Sequence, residues 1–423
     1  MTKINIPETD LKRVVIVGAG FAGLELAKRL RKSNLQIVLI DKNNYHQFQP
    51  LLYQVATAGL EPSSIAFPLR KLFQNDKNFF IRVTEVLRIE PEKKQIVTSL
   101  GFCWYDYLVI ASGADTNYYG NPEIEKHVIP MKSVSEALYL RNLLFEDYEK
   151  ALTATEKSDQ EKFSDIVIVG GGATGVELAG ALAEMKKYIL PKDYHELDTG
   201  SVDIYLIQSA DTLLKGMSPQ AGMAAEAFLS RLGVIVKKNA RVTSYDGELL
   251  KMNDNTEILA KKVIWAAGVK GNIPVGIPAE ALVSNRIRVN HYSEIIGMDS
   301  VYCIGDVAYM EEGEYKGHPQ VAQVAIQQAQ TLAYNILQVL NQKNPKPFRY
   351  RNLGSMATIG RNHAVVDFPF IRFQGFFAWL VWLFVHLFSI IGVKNKIIVF
   401  LNWFWNYFTF DQSLRLIIRP KQK

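Results

Sequence analysis

At 423 residues the chain is too long for one hydrophobic core and reads as two or three domains. Its hydrophobic fraction of 48% is that of a globular protein and its net charge of +6 is modest. Lys and Arg are scattered rather than massed with aromatics, which argues against nucleic-acid binding. Two cysteines, Cys103 and Cys303, with no CxxC pair, exclude a disulfide framework. Cys303, within the apolar run 301–304, reads as inert core packing, and Cys103 as part of a hairpin.

In chain order, the N-terminal residues lack the apolar core of a secretory signal and run straight into an apolar strand, 14–17. The body is therefore expected on the cytoplasmic side. The strand leads into Gly18-Ala19-Gly20-Phe21-Ala22-Gly23 and a helical pattern through 30. Such a strand–turn–helix lets backbone approach a pyrophosphate, and the helix N-terminus supplies N–H donors and a positive dipole. A second strand, 36–40, ends in Asp41, where a carboxylate suits ribose hydroxyls; the plainer reading is a turn-forming Asp in Asp-Lys-Asn-Asn. Residues 79–110 alternate in strand fashion and end in the run 107–110 before the small-residue turn 111–114. The polar stretch 151–164 reads as a loop.

The strand 166–169 then opens a copy of the first motif. Gly18, Gly20, Gly23 and Glu25 recur as Gly170, Gly172, Gly175 and Glu177, all at one offset. The repeat extends to the far strand 262–265, which runs into a small-residue turn at Gly268 as 107–110 does at Gly113. One GxGxxG is weak evidence, but two in matching context imply two dinucleotides. A strand ending in Gly305-Asp306 and a helix from about 319 to 340 add a second clamp for phosphate and polyol. The fold class is thus α/β, with two Rossmann-like dinucleotide-binding domains and a C-terminal amphipathic helical segment. The expected division is 1–118 with 295–345 as one domain, 119–294 as the second, and 346–423 as the tail.

Five pieces of sequence carry a closer resemblance: the GAGFAG loop, the stretch 45–56 (YHQFQPLLYQVA), the GGGATGVE loop, Gly305-Asp306, and the AQVAIQ pattern of 322–327. On these the chain resembles the two-dinucleotide-binding-domain flavoproteins and, more narrowly, the type II NADH dehydrogenases, non-pumping NADH:quinone oxidoreductases of respiratory membranes. The resemblance implies FAD contacts from Gly18, Ala19, Gly20, Phe21, Ala22, Gly23, Asp41, Lys42, Val86, Ala111, Asp306 and Ala325. For the nicotinamide dinucleotide it implies Gly170, Gly172, Gly175, Gln208 and Gly268. It also places Gln323 and Gln327 at the edge of a quinone pocket; four apart on a helix, they share a face. The plain alternative is a pair of polar positions on an exposed helix. Glu177, in the first turn of its helix, complements the helix dipole. In the resembling family this Glu is proposed to lie between nicotinamide and flavin and to assist quinone protonation. Gln208 stands where NADH-selective members carry an acid, so NADH is the expected donor and NADPH is not excluded.

The tail carries an apolar run, 375–393, near the roughly 20 residues needed to cross a bilayer, broken by Lys394 and Lys396 before a shorter run, 397–410. Trp379, Trp382, Trp403, Trp405, Tyr407, Arg415 and Arg419 suit an interfacial position. Helices lying in one leaflet fit better than a spanning hairpin, and a homodimer interface is a third reading. The expected partners are thus a membrane quinone, the lipid surface and a second copy of the chain. His46, His318 and His386 are isolated and no metal is expected. A rival is sulfide:quinone oxidoreductase, which needs redox cysteines near the flavin; a non-catalytic NAD(P)H sensor is another.

Overall fold

The computed structural model describes residues 2–411 and 414–418. Arg419, named above among the interfacial residues, lies outside the described residues. The chain forms two compact units: 1–46 with 67–115 and 269–352, and 47–66 with 116–268 and 353–423.

The core of the first unit is a five-stranded parallel sheet, in the order Val301–Cys303, Tyr107–Ile110, Lys12–Val17, Leu35–Asp41, Phe79–Val83. The strands are near-continuous Val, Ile and Leu because both faces of a parallel sheet are covered. Val14, Val15 and Ile16 are fully buried. The helix Phe21–Leu30 follows the first strand and packs against Ala322–Leu340. The latter starts three residues later than the sequence pattern suggests. Residues 318–321 are not yet helical, and the Gln320 side chain there donates to the Asp306 carbonyl at 2.9 Å.

The second unit repeats the plan with Ile129–Pro130, Lys262–Trp265, Ile166–Val169, Ile204–Ile207 and Val234–Lys237, again all parallel. The inner strands match those of the first sheet one for one. The outermost strand differs: in the first sheet it comes from late in the chain, in the second from before the glycine motif.

The segment 151–164 is not a loop. Residues 151–153 finish the helix Val134–Thr153, and Lys157–Ser164 is a helix of its own. The second is polar nearly all round, so it shows no apolar stripe in sequence. Pairs Lys157–Glu161 and Asp159–Lys162 at helical spacing support it. A three-stranded antiparallel sheet, Ser355–Gly360, His363–Asp367 and Arg372–Gly375, leads to the tail helices Phe376–Ser389 and Val393–Thr409. The second helix includes Lys394 and Lys396. Among the described residues no helix is long and apolar enough to cross a membrane.

Candidate active site

The glycines of each motif do separate jobs. Gly18 and Gly170 have φ of +101° and +116°, which favours glycine on conformational grounds. A Cβ on either would lie 2.3 or 2.5 Å from the carbonyl oxygen of Ala111 or Ala266, at the end of the neighbouring strand. A Cβ on Gly23 or Gly175 would lie 1.8 or 1.9 Å from the carbonyl of Gly18 or Gly170, so the helix closes onto its own turn. Gly20 and Gly172 differ: a Cβ there meets no protein atom within 4 Å. The first and third glycines are required by the protein's own packing, and the middle one opens a space at a helix N-terminus. Such a space fits a dinucleotide pyrophosphate.

Each loop is braced at its second residue. The Ala19 N–H donates to Asp41 at 2.6 Å, and the Ala19 carbonyl meets His46 Nδ1 at 2.9 Å. The Gly171 N–H donates to Gln208 Oε1 at 3.0 Å, and its carbonyl accepts from Leu214 N–H at 2.8 Å. Burial pushes the Asp41 carboxyl up, against the N–H groups of Asn43 and Ala19. Burial also lowers His46 to about 4, so it is a neutral brace set edge-on to Phe21.

Two of the other residues expected around the flavin, Ala22 and Ala325, come together at Gly305. A Cβ on Gly305 would lie 3.1 Å from Ala22 and 3.6 Å from Ala325. Buried Gln328 fixes this corner by accepting from the Gly305 N–H at 2.7 Å. Val86 opens the strand Val86–Glu90, and Lys42 is exposed beside Asp41. In the second unit Gly268 has φ +102° and lies against the Tyr119 ring.

Gln323 and Gln327 are half-buried on the helix Ala322–Leu340. The Gln327 amide is engaged at both ends by backbone: it donates to the Arg351 carbonyl at 2.9 Å and accepts from the Arg351 N–H at 3.0 Å.

Glu177 lies in the second unit, where sequence spacing alone gave no neighbours. It is 8% exposed, and both of its hydrogen bonds fall on Oε1, from the Thr358 N–H and the Trp382 indole N–H, each at 3.3 Å. Burial raises its pKa to about 8, opposed by those two donors. It is therefore a neutral acid at pH 7. Burial, and then the neighbouring Glu177, hold the Tyr53 hydroxyl far above its ordinary value. Trp382 is 1% exposed and stacks on His386 with ring centroids 4.0 Å apart. The interfacial reading of Trp382 is thus corrected: on a helix apolar all round, an inward Trp and an outward one look alike in sequence. Trp405 is 61% exposed, as an interfacial residue would be. Arg415 pairs with Asp193 and Asp411. Cys103 and Cys303 are both buried in one apolar core, where burial raises their thiol pKa values. Among the described residues no three His, Cys, Asp or Glu side chains gather as metal ligands would.

The pyridine nucleotide-disulphide oxidoreductase family model matches residues 12–329, and the NDH2 C-terminal domain model matches 352–409. Type II NADH:quinone oxidoreductase Ndh of Mycobacterium tuberculosis is 35% identical over 407 residues, covering 92% of this chain and 87% of that protein. The chain belongs to the type II NADH:quinone oxidoreductases. In fold it is similar to NDH2 of Plasmodium falciparum, solved in complex with NADH, with TM-score 0.87 and 21% identity, over 96% of this chain and all of that one. It is more distantly similar to the sulfide:quinone oxidoreductase of Aquifex aeolicus, with TM-score 0.73 and 20% identity, over 94% of this chain and 95% of that one. The family's cofactors are FAD and NADH, and its C-terminal domain corresponds to residues 352–409.

Proposed function

We propose that this protein is a respiratory NADH:quinone oxidoreductase that works without pumping protons, at the cytoplasmic face of a membrane. FAD held in the first cradle would supply the two-electron chemistry that links NADH as hydride donor to a quinone as acceptor. The observation that carries the reading is the pair of alike cradles, each closed by its outer glycines and open at the middle one. Residues 1–118 with 295–345 would hold FAD. Gly18 to Gly23 would cradle the pyrophosphate, Asp41 the adenosine ribose, Lys42, Val86 and Ala111 the adenosine side, and Asp306 and Ala325 the ribityl chain and flavin. Residues 119–294 would hold NADH through Gly170, Gly172, Gly175, Gln208 and Gly268.

Gln208 accepts from the Gly171 N–H through its carbonyl oxygen and donates its NH2 group to the Thr212 carbonyl at 3.2 Å. An amide there fixes the loop as an acid would, without the charge that repels a 2′-phosphate. NADH is the expected donor, with NADPH a candidate second one. Glu177 would serve as a neutral proton donor in quinone reduction. Gln323, on the helix Ala322–Leu340, would contact a quinone carbonyl. Gln327, held on Arg351, would form the pocket's rim.

The segment 346–423 would rest on lipid and support a homodimer. Phe377, Leu380, Phe384 and Phe388 form one exposed stripe at helical spacing, and Ile397, Leu401, Phe404 and Phe408 a second. Exposed apolar faces of this extent call for lipid or a protein partner. The test of function is direct: purified protein with FAD, given NADH and a soluble quinone, should turn over NADH beyond one equivalent per flavin only when the quinone is present. No NADH consumption would reject the reading. Consumption of sulfide instead would favour the rival, against which the burial of both cysteines already counts.

A further inference from the structure

Reducing a quinone to a quinol takes two electrons and two protons. Hydride from NADH brings both electrons and one proton, so each turnover must draw one more proton from water: NADH + H+ + quinone gives NAD+ + quinol. On the proposed function Glu177 delivers that proton, yet it is buried and must be refilled.

Seven residues along the same helix, Ala173–Tyr188, lies Glu184. Seven residues are two turns, so both carboxyls share a face about 10.5 Å apart along the axis. Gly180, between them, lets a strand lie directly on the helix: a Cβ there would be 1.7 Å from the Ile359 carbonyl. The chain gives one N–H to each acid, Thr358 to Glu177 and Arg361 to Glu184. Three residues of extended chain span about 10 Å, matching the two-turn step. Both carboxyls line one cavity of about 120 Å3, together with Tyr53, Gln54, Ala181 and Asn406. Its size admits several waters, with Tyr53, Gln54, Asn406 and the two acids as hydrogen-bonding partners and Trp379, Trp382, Leu383 and Trp403 as apolar lining. Glu177 is buried, whereas Glu184 is half-buried.

We propose that Glu184 is the outer station of a proton path, taking protons from solvent and passing them through this cavity to Glu177. In each turnover the Glu177 O–H breaks as an O–H forms on the quinone oxygen. The Glu177 carboxylate then takes the Glu184 proton across water, and Glu184 takes one from solvent. Glu184 thus acts through Glu177 and touches no substrate. The charges and titrating groups around it are Arg361 and His363 from the strand turn, Lys187 on its own helix, Tyr53, and Tyr407 on the last helix. The tail helix Phe376–Ser389 contributes only Trp379, Trp382 and Leu383 to the cavity wall. Burial raises Glu184 as it raises Glu177, opposed at Glu184 by the Arg361 N–H and by the Arg361, His363 and Lys187 charges. Arg361 in turn caps the last helix, donating to the Asn406 and Tyr407 carbonyls at 2.8 Å each.

The test is stopped flow on the FAD-loaded enzyme, reading flavin reduction by NADH and flavin reoxidation by a soluble quinone separately. Glu184→Gln keeps an acceptor for the Arg361 N–H but holds no exchangeable acid. It should leave reduction unchanged and slow reoxidation at least about tenfold, more so as pH rises above neutrality. Imidazole, a small diffusible acid, should restore part of the loss, and Glu184→Asp should be milder. Ala181→Leu, which fills the cavity while keeping both acids, should also slow reoxidation. Unchanged reoxidation across pH, equal loss in both half-reactions, or a loss that imidazole does not relieve would each overturn the proposal. If the unmodified enzyme does not reoxidise with quinone at all, the proposed function itself fails, a result separate from any of these.

Discussion

In the first cradle the side chain that ties down the glycine loop is a carboxylate, Asp41 on the Ala19 N–H at 2.6 Å; in the second it is an amide, Gln208 on the Gly171 N–H at 3.0 Å. The other details repeat almost atom for atom. Gly18 and Gly170 press on the strand next door, Gly23 and Gly175 press on Gly18 and Gly170, and Gly20 and Gly172 face empty space. The repetition shows which glycines the protein needs for itself and which it keeps for a ligand. The carboxylate-for-amide difference falls where the adenosine ribose would be read, and so bears on which dinucleotide each cradle takes.

The comparison is broken most violently by adding one methyl group. Gly23→Ala or Gly175→Ala drives a Cβ into backbone and should cost more than about 4 kcal/mol, seen as a large fall in thermal unfolding temperature. Gly20→Ala and Gly172→Ala should stay folded within about 1 kcal/mol. Gly20→Ala should emerge colourless, without FAD. Gly172→Ala should keep its flavin but raise the KM for NADH at least about tenfold. Equal unfolding by all four variants would remove the distinction between packing glycines and ligand glycines.

Next in size is Glu177, for which Glu25 in the first unit is the contrast. Glu25 is partly exposed and pairs with Arg29, whereas Glu177 is held to a pKa of about 8 against an ordinary 4.5. Below pH 4.5 both the folded and unfolded chains hold the Glu177 proton. Between 4.5 and about 8 only the folded chain does, so ionisation favours unfolding increasingly as pH rises. Glu177→Gln should therefore stabilise the protein by about 3 kcal/mol at pH 7 and by nothing below pH 4.5. Urea melts at the two pH values check this; equal stabilisation at both would show that the carboxyl is not held neutral.

The tail gives a third contrast, between inward and outward aromatics. Deleting everything after Phe370 would remove Trp382 from Glu177 as well as the exposed stripes, so it cannot test anchoring alone. Phe384→Glu with Phe404→Glu alters only outward faces and should shift most of the protein from vesicles to the supernatant while leaving flavin reduction by NADH unchanged. Continued sedimentation with the vesicles would contradict a lipid-facing tail. Smaller still, Gln323→Ala should slow flavin reoxidation by quinone roughly tenfold and leave reduction by NADH alone. Gln208→Glu should worsen NADPH relative to NADH by several-fold, read as a ratio of kcat/KM values.

The sequence made the cradles legible because every feature of them is local. Glycine spacing, flanking Val-Ile runs and the strand-end residues Asp41 and Gln208 all lie within one strand–turn–helix–strand stretch. Segment 151–164 was misleading because a polar helix held by its own ion pairs leaves no apolar stripe to read. The surroundings of Glu177 were out of reach for another reason: Thr358 and Trp382 stand 181 and 205 residues away in the chain. No periodicity links such partners, and the close packing that joins Gly180 to Ile359 emerges only on folding. Trp382 itself sits on a helix apolar all round, where burial leaves no mark on the pattern.

The central claim is that two cradles in one chain hold an electron donor and its first acceptor. Anaerobic mixing of the purified yellow protein with NADH, followed at the flavin absorbance band, tests it most directly. The account predicts that the band bleaches in one fast phase and returns when quinone is added. Protein that takes up no FAD, or a flavin band that NADH leaves untouched, would contradict it.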